Sequence, residues 1–256
     1  MLEKIDVHIT DHCNLNCKSC THFSPLADEF YLDIKEYIGD IERLSELSKG
    51  DIGQIFLIGG EPLLHPQLKY FFQITRLNFP KTRIIVITNG ILLNKQDNTF
   101  WEACKKSNIE IWLSQYHLNL DYDLMKQTAA KYNVFLGNTT DIGDDSNNWF
   151  KFTFDLNGEQ DPVETYNNCA LKKCVAIEHG RIFTCCISAH AKYFNKYFNQ
   201  NLELTDEDSI DIYKVRSFDE IMQKVSNPIP FCKYCKRVKW EYQNWEPSRR
   251  EISEWT

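Results

Sequence analysis

Between residues 4 and 136 the chain alternates strand-like runs with stretches of helical spacing, and few folds accept that rhythm. The runs are Lys4–Ile9, Gln54–Ile58, Arg83–Thr88, Ile109–Leu113 and Val134–Leu136. Ile34, Tyr37, Ile38, Ile41, Leu44 and Leu47 share one helical face and predict a helix over 33–49, with Asp33 as its cap and Gly50 after its end. Further helices are expected at about 66–78, 94–107 and 121–132. Such alternation implies a parallel sheet covered by helices. Chemistry in these folds gathers beyond the carboxyl ends of the strands. Cys13, Gly59-Gly60-Glu61, Asn89 and Ser114 each follow a predicted strand, so one face of the molecule should carry them all.

The rhythm stops near residue 140. Residues 137–148 read as a polar loop, Trp149–Phe154 as the last strand of the larger unit, and 155–168 as a connection. The remainder of the chain is cysteine-rich, with a hairpin, one good helix at about 217–226, and an aromatic end (Trp240, Tyr242, Trp245, Trp255) read as a packing strap. The expected division is 1–165 and 166–256. A chain of 256 residues can bury a core without disulfides. No apolar run approaches the roughly 20 residues that span a bilayer, and the first residues lack a signal peptide's charged and apolar regions. A cytoplasmic protein is therefore expected, with no membrane partner. A net charge of −7 argues against general binding to nucleic acid.

Nine of the ten cysteines are clustered: Cys13, Cys17 and Cys20; Cys169, Cys174, Cys185 and Cys186; Cys232 and Cys235. In a reducing compartment such clusters read as metal ligands or redox groups. Cys104 stands alone and reads as a core residue. Cys13, Cys17 and Cys20 form C-x3-C-x2-C on a loop leaving a strand. Three thiolates hold a [4Fe–4S] cluster with one iron left open. Zinc would seek a fourth ligand, for which His12 and His22 are at hand. One β-α unit later, Gly59-Gly60-Glu61-Pro62 pairs glycines that let a ligand approach the backbone with a carboxylate that suits an amine. Taken alone, that segment is also an ordinary strand-to-helix turn.

In this order the motifs resemble the radical S-adenosylmethionine (SAM) superfamily: Cys13, Cys17 and Cys20, then Gly59, Gly60 and Glu61, then Thr88-Asn89-Gly90. The resemblance implies an α/β fold, a partial (β/α)6 TIM-like barrel. It implies that the open iron binds the amino and carboxylate groups of SAM while Glu61 and the glycine backbone orient the amine. It also implies cleavage of SAM to methionine and a 5′-deoxyadenosyl radical that abstracts hydrogen from a substrate. Asn89, and Ser114 or Gln115 on the ribose or carboxylate, are the further SAM contacts, and an external electron donor such as flavodoxin or ferredoxin is the expected partner. One departure is Ser19, where many members carry an aromatic residue.

The spacing Cys169-x10-Gly180-x4-Cys185, with Cys232-x2-Cys235 later, resembles the twitch form of the SPASM extension. It implies a second, auxiliary [4Fe–4S] cluster on Cys169, Cys185, Cys232 and Cys235; a zinc ribbon is the plainer alternative. A two-residue turn at His179-Gly180 sets Ile177 against Ile182, Ala176 against Phe183 and Cys174 against Cys185. Cys174 therefore rivals Cys169 as a ligand; unligated, it would be a free thiol able to donate hydrogen. Strand alternation sends Cys186 to the opposite face, as core packing. His65 reads as a turn cap. His117, His190 and Arg181 are weak substrate-base or anchor candidates, and His22-Phe23-Ser24-Pro25 is a candidate pocket lining. Chain length and layout resemble the small radical SAM dehydrogenase of aminocyclitol antibiotic biosynthesis. The expected activity is thus oxidation of a small polyhydroxylated substrate, a sugar or aminocyclitol. The alternatives are a radical epimerase, a peptide-modifying maturase, and a zinc-stabilised binding module without catalysis.

Overall fold

A sheet with an apolar face needs cover there, and the chain supplies it with a helix after each of its first four parallel strands. In a computed structural model, which describes residues 1–114, 116, 118–139, 149–151, 153–172, 174–236 and 241–256, with backbone alone at 149–151 and 241–243, five parallel strands lie in the order β5-β4-β3-β2-β1. They are β1 (Leu2–Thr10), β2 (Ile52–Gly59), β3 (Arg83–Thr88), β4 (Ile109–Leu113) and β5 (Phe135–Asn138). Helices α1 (Ile34–Ser48), α2 (Leu68–Asn78), α3 (Asn98–Lys106) and α4 (Tyr122–Tyr132) connect them. Asp33, Asp97 and Asp121 cap α1, α3 and α4 by accepting first-turn N–H groups. Each such cap is worth about 0.5–2 kcal/mol.

The two faces of the sheet differ. Ile5, Val7, Ile9, Ile55, Leu57, Ile84, Val86 and Ile111 pack against the helices in the main core. The alternate residues face the other way. On β2–β4 they are apolar, with Phe56, Ile58, Ile85 and Trp112 forming a separate cluster. On β1 they are Asp6, His8 and Thr10, all buried, and the register places Asp6 beside Phe56 and His8 beside Ile58. This second face is the concave interior of an open barrel.

The C-terminal region extends the same sheet. β7 (Ala176–Glu178) pairs parallel with the free side of β1, and β8 (Arg181–Phe183) and β9 (Ser209–Asp211) follow antiparallel, for eight strands in all. The hairpin keeps the expected pairs Ile177–Ile182 and Ala176–Phe183. Three expectations fail. The strand expected at 149–154 is β6 (Trp149–Lys151); it pairs with β10 (Glu241–Gln243) in a separate two-stranded sheet, through a partner too distant in sequence for local pattern to reveal. The expected connection at 155–168 contains α5 (Pro162–Asn167), capped by Asp161. Beyond β8 the chain forms α6 (Cys186–Phe198) rather than continuing as strand. Residues 186–191 are all buried, so that half of α6 has no polar face and no helical periodicity to read. The expected helix is α7 (Phe218–Val225), with the Glu220 carboxylate accepting from the Ser217 N–H at 3.1 Å. No helix among the described residues is long and apolar enough to cross a membrane.

Candidate functional site

Cys13, Cys17 and Cys20 come from the loop that leaves β1. Burial pushes all three thiols up, Cys17 to about 12, and repulsion among the sulfurs adds to it at Cys13 and Cys17. Thiols so placed ionise only beside a cation, which is what metal ligation supplies. The loop is held from two sides. Asn89, beyond β3, donates to Asn14 Oδ1 at 2.8 Å and reaches Cys13 Sγ at 3.7 Å. The C-terminal tail runs across it: Lys18 N donates to the Glu246 carbonyl and Ser248 N to the Asn16 carbonyl, each at 2.9 Å, and the Trp255 indole donates to the Cys20 carbonyl at 3.0 Å. Ser19 has a left-handed backbone (φ 57°) and is buried under this tail, its hydroxyl donating to the Glu254 carbonyl at 2.7 Å. That contact accounts for a small polar residue at this position.

The donor set suits an iron–sulfur cluster better than zinc. His12 bonds the Phe30 backbone, and the His22 ring lies against His8 and His190, so both are committed away from the thiols. Tetrahedral zinc, with Zn–S near 2.3 Å, holds sulfurs about 3.8 Å apart. Among the described residues the only three ligand-type side chains with donor atoms all within 4.8 Å of one another are His8, Asp11 and His190, so neither thiol set is drawn in to that spacing. Trp245 lies beside Cys17, its buried indole N–H favouring the thiolate form of that sulfur.

Glu61 is 1% exposed. Its carboxylate accepts from Leu63 N (3.0 Å), Thr88 Oγ1 (2.6 Å) and Asn89 N (2.9 Å), tying the end of β2 to the end of β3. Burial raises its pKa to about 7 in spite of those donors. A carboxylate has about four acceptor sites, so about one remains for an outside amine. The paired glycines answer to the chain itself: a Cβ at Gly59 would lie 2.0 Å from the Thr10 carbonyl oxygen, and one at Gly60 2.1 Å from that of His12. The backbone that a Cβ there would meet is the end of β1 and the start of the cysteine loop. Ser114 follows β4, its N–H donating to the Thr88 carbonyl at 2.9 Å. Gln115 and His117 lie outside the described residues.

The other cysteines separate into two groups. Cys169, Cys185, Cys232 and Cys235 perturb one another electrostatically and form one set. Cys174, which also acts weakly on Cys169, donates instead to Asp6 Oδ2 at 3.4 Å and bonds Cys186. Cys186 opens α6, in contact with Cys174 and Cys185, so its expected place on the far face of a strand does not exist. A hydrogen bond from Cys186 pulls the Cys185 thiol down, towards the ligand form. Cys104 lies in the main core. His65 bonds the Leu32 carbonyl and accepts from Gln67 N, as a turn cap. Arg181 holds Ser209 and Asp206. Phe23 belongs to the second apolar cluster, with Phe154, Phe194 and Trp255.

Sequence reading overlooked His8 and Asp11, which meet His190 and His22 at the inner face. The available signal was a polar residue at every second position of a buried parallel strand: Asp6, His8, Thr10.

Residues 7–123 match the model of the Radical SAM superfamily. Among curated proteins the chain is similar to GTP 3′,8-cyclase of Chlorobaculum tepidum, 28% identical over 102 residues, covering 40% of this chain and 30% of that protein. It is also similar to GTP 3′,8-cyclase of Nautilia profundicola, 30% identical over 130 residues, covering 51% and 38%. The chain thus matches little more than a third of the length of these relatives. Two solved structures share its fold over nearly the whole chain. BtrN in complex with AdoMet and 2-DOIA aligns with a TM-score of 0.57 at 18% identity, covering 93% of this chain and 94% of that one. anSMEcpe with bound AdoMet aligns with a TM-score of 0.56 at 13% identity, covering 91% and 89%.

Proposed function

We propose that this chain, whose residues 7–123 form a radical SAM domain, oxidises a small polyhydroxylated molecule with the help of two [4Fe–4S] clusters. Cys13, Cys17 and Cys20 would hold the first within a unit of residues 1–165. Cys169, Cys185, Cys232 and Cys235 would hold the second within residues 166–256. Bound there, the first cluster and SAM supply one-electron cleavage of a carbon–sulfur bond in SAM and removal of a hydrogen atom from a substrate C–H bond. The chain's own residues prepare the place. Asn89 and Asn14 set the cysteine loop against the end of β3, and Glu61 locks the ends of β2 and β3 so that the Gly59, Gly60, Asn89 and Ser114 backbone faces SAM. After hydrogen loss a CH–OH carbon still has to lose one proton and one electron to become a ketone. A second cluster held by Cys169, Cys185, Cys232 and Cys235 would be the electron acceptor, and a buried carboxylate such as Asp6, whose proton affinity burial raises, would take the proton. A flavodoxin- or ferredoxin-type donor supplies the electron for each SAM cleaved.

What supports this reading is the position of two groups of thiols along one strand. Cys13 lies beyond Thr10 at the end of β1, while Cys174, a neighbour of Cys169, bonds Asp6 in its middle. At about 3.3 Å per residue, Asp6 and Thr10 are about 13 Å apart along the strand, with His8 between them on the same face. The similar fold of a protein captured with AdoMet and 2-DOIA supports a small-molecule substrate. A second reading, epimerisation, is favoured by Cys174 alone: it stands outside the set of four and could return a hydrogen atom from its thiol.

The test is anaerobic reconstitution. About eight irons per chain are expected, falling to about four when Cys232 and Cys235 become alanine. 5′-Deoxyadenosine should vanish when Cys13, Cys17 and Cys20 are all replaced. Four irons with zinc in the remainder would reject the second cluster, and SAM cleavage by the triple variant would reject the reading altogether.

A further inference from the structure

We propose that His8, Asp11 and His190 form a third metal site, separate from both thiol sets, that binds a single divalent transition ion such as zinc or ferrous iron. The three come from distant places: His8 from β1, Asp11 from the start of the cysteine loop, His190 from α6. They are 3%, 1% and 0% exposed. Their donor atoms all lie within 4.8 Å of one another, with His190 Nε2 and Asp11 Oδ1 3.6 Å apart.

What points to an ion is the set of atoms left without partners. Both nitrogens of His8, Nε2 of His190 and Oδ1 of Asp11 are buried and make no hydrogen bond. An unmet buried polar atom costs about 1–3 kcal/mol, and here one such atom from each of three residues meets the others within 4.8 Å. A protonated His190 paired with Asp11 would answer for two of them and leave both nitrogens of His8 idle. One ion answers for three donors together.

The outer contacts are those a metal site uses. His190 Nδ1 lies 2.9 Å from the Cys186 carbonyl, a bond that places the proton on Nδ1 and leaves Nε2 free to ligate. The other oxygen of Asp11 accepts from the Tyr193 hydroxyl. His22, its ring centroid 4.6 Å from that of His8, closes another side as a third imidazole. Two histidines and one carboxylate leave coordination positions open.

The test uses the anaerobically reconstituted, cluster-loaded chain, washed with a chelator and dialysed against zinc, with zinc and iron counted by mass spectrometry. One zinc per chain at unchanged iron is expected. His8→Ala and His190→Ala should each weaken binding on the order of a hundredfold, and Tyr193→Phe by roughly tenfold. His179→Ala, at an exposed histidine, should change nothing. X-ray absorption at the zinc edge of the unsubstituted chain should show nitrogen and oxygen ligands without sulfur. That measurement decides the matter even if the variants fail to fold. Absence of saturable zinc, sulfur in the zinc shell, or uptake that persists in the His8→Ala/His190→Ala double variant overturns the site.

Discussion

Replacing Trp255 should loosen the radical cluster loop from the far end of the chain. Trp255 is fully buried, its ring 6.1 Å from Phe23 and 5.9 Å from Phe198. Its indole N–H meets the Cys20 carbonyl, and its own carbonyl accepts from Phe154 N at 2.7 Å. Truncation to alanine empties a large aromatic site, at about 3–5 kcal/mol. Trp255→Phe keeps most of the packing and removes the N–H; the Cys20 carbonyl keeps its bond from Phe23 N at 3.1 Å, so the loss is one hydrogen bond, about 0.5–1.5 kcal/mol. The urea midpoint of the cluster-free protein should fall for both, further for alanine. The sharper assay is the rate at which a chelator strips iron from the reconstituted protein, since release requires the loop to open locally. With tenfold per 1.4 kcal/mol, Trp255→Phe should release iron held by the Cys13–Cys20 loop roughly 2- to 12-fold faster. Unchanged iron release in Trp255→Phe, beside a destabilised Trp255→Ala, would show that the tail only fills space and that its bond to Cys20 holds nothing.

Three further outcomes rest on the geometry. On the proposed ligand set of Cys169, Cys185, Cys232 and Cys235, Cys174→Ala should leave the iron content unchanged, and a fall in iron would make Cys174 a ligand; continued ketone formation supports oxidation, while SAM cleavage without finished product identifies Cys174 as a hydrogen donor. Gly60→Ala should cost about 1–3 kcal/mol or more, because its Cβ would lie 2.1 Å from the His12 carbonyl; a midpoint equal to the parent's would refute the close approach. The pKa of Glu61, raised from 4.5 to about 7 when folded, means that the folded cluster-free chain binds its proton more tightly than the unfolded one. The resulting stability, about 3 kcal/mol, is fully present below pH 4.5 and is lost as pH rises through 7. Glu61→Gln should flatten the fall in urea midpoint over that range, and an unaltered slope would contradict it.

Local pattern was enough for the first half of the chain. The cap at Asp33, the helix that begins near Asp121, the strands that end just before Cys13, at Gly59 and before Asn89, and the hairpin at His179-Gly180 all depend on residues within a few positions of each other. The cysteine spacing likewise marks a metal loop, because ligands on one short loop are set by their separation along it. The roles of Glu61 and the glycines were less legible. The sequence shows a carboxylate and a glycine pair after a strand, but neither the three internal donors to Glu61 nor the backbone of Thr10 and His12 that presses on the glycines.

The amino-acid sequence by itself determined the β-α order, the side of the sheet that carries the cysteine loop, and the pairing within the C-terminal hairpin, since each comes from periodicity or short spacing. Only the tertiary structure decided that this hairpin extends the sheet from β1, that residues 246–255 lie over the cysteine loop, and that α6 is a helix. It also brought His190 onto His8 and Asp11, and set Cys174 against Asp6 rather than within the set of four. These contacts join residues about 170 to 230 positions apart. The preferences of a local segment are silent about them, because the free energy that fixes them comes from burying surfaces that meet only once the sheet has formed.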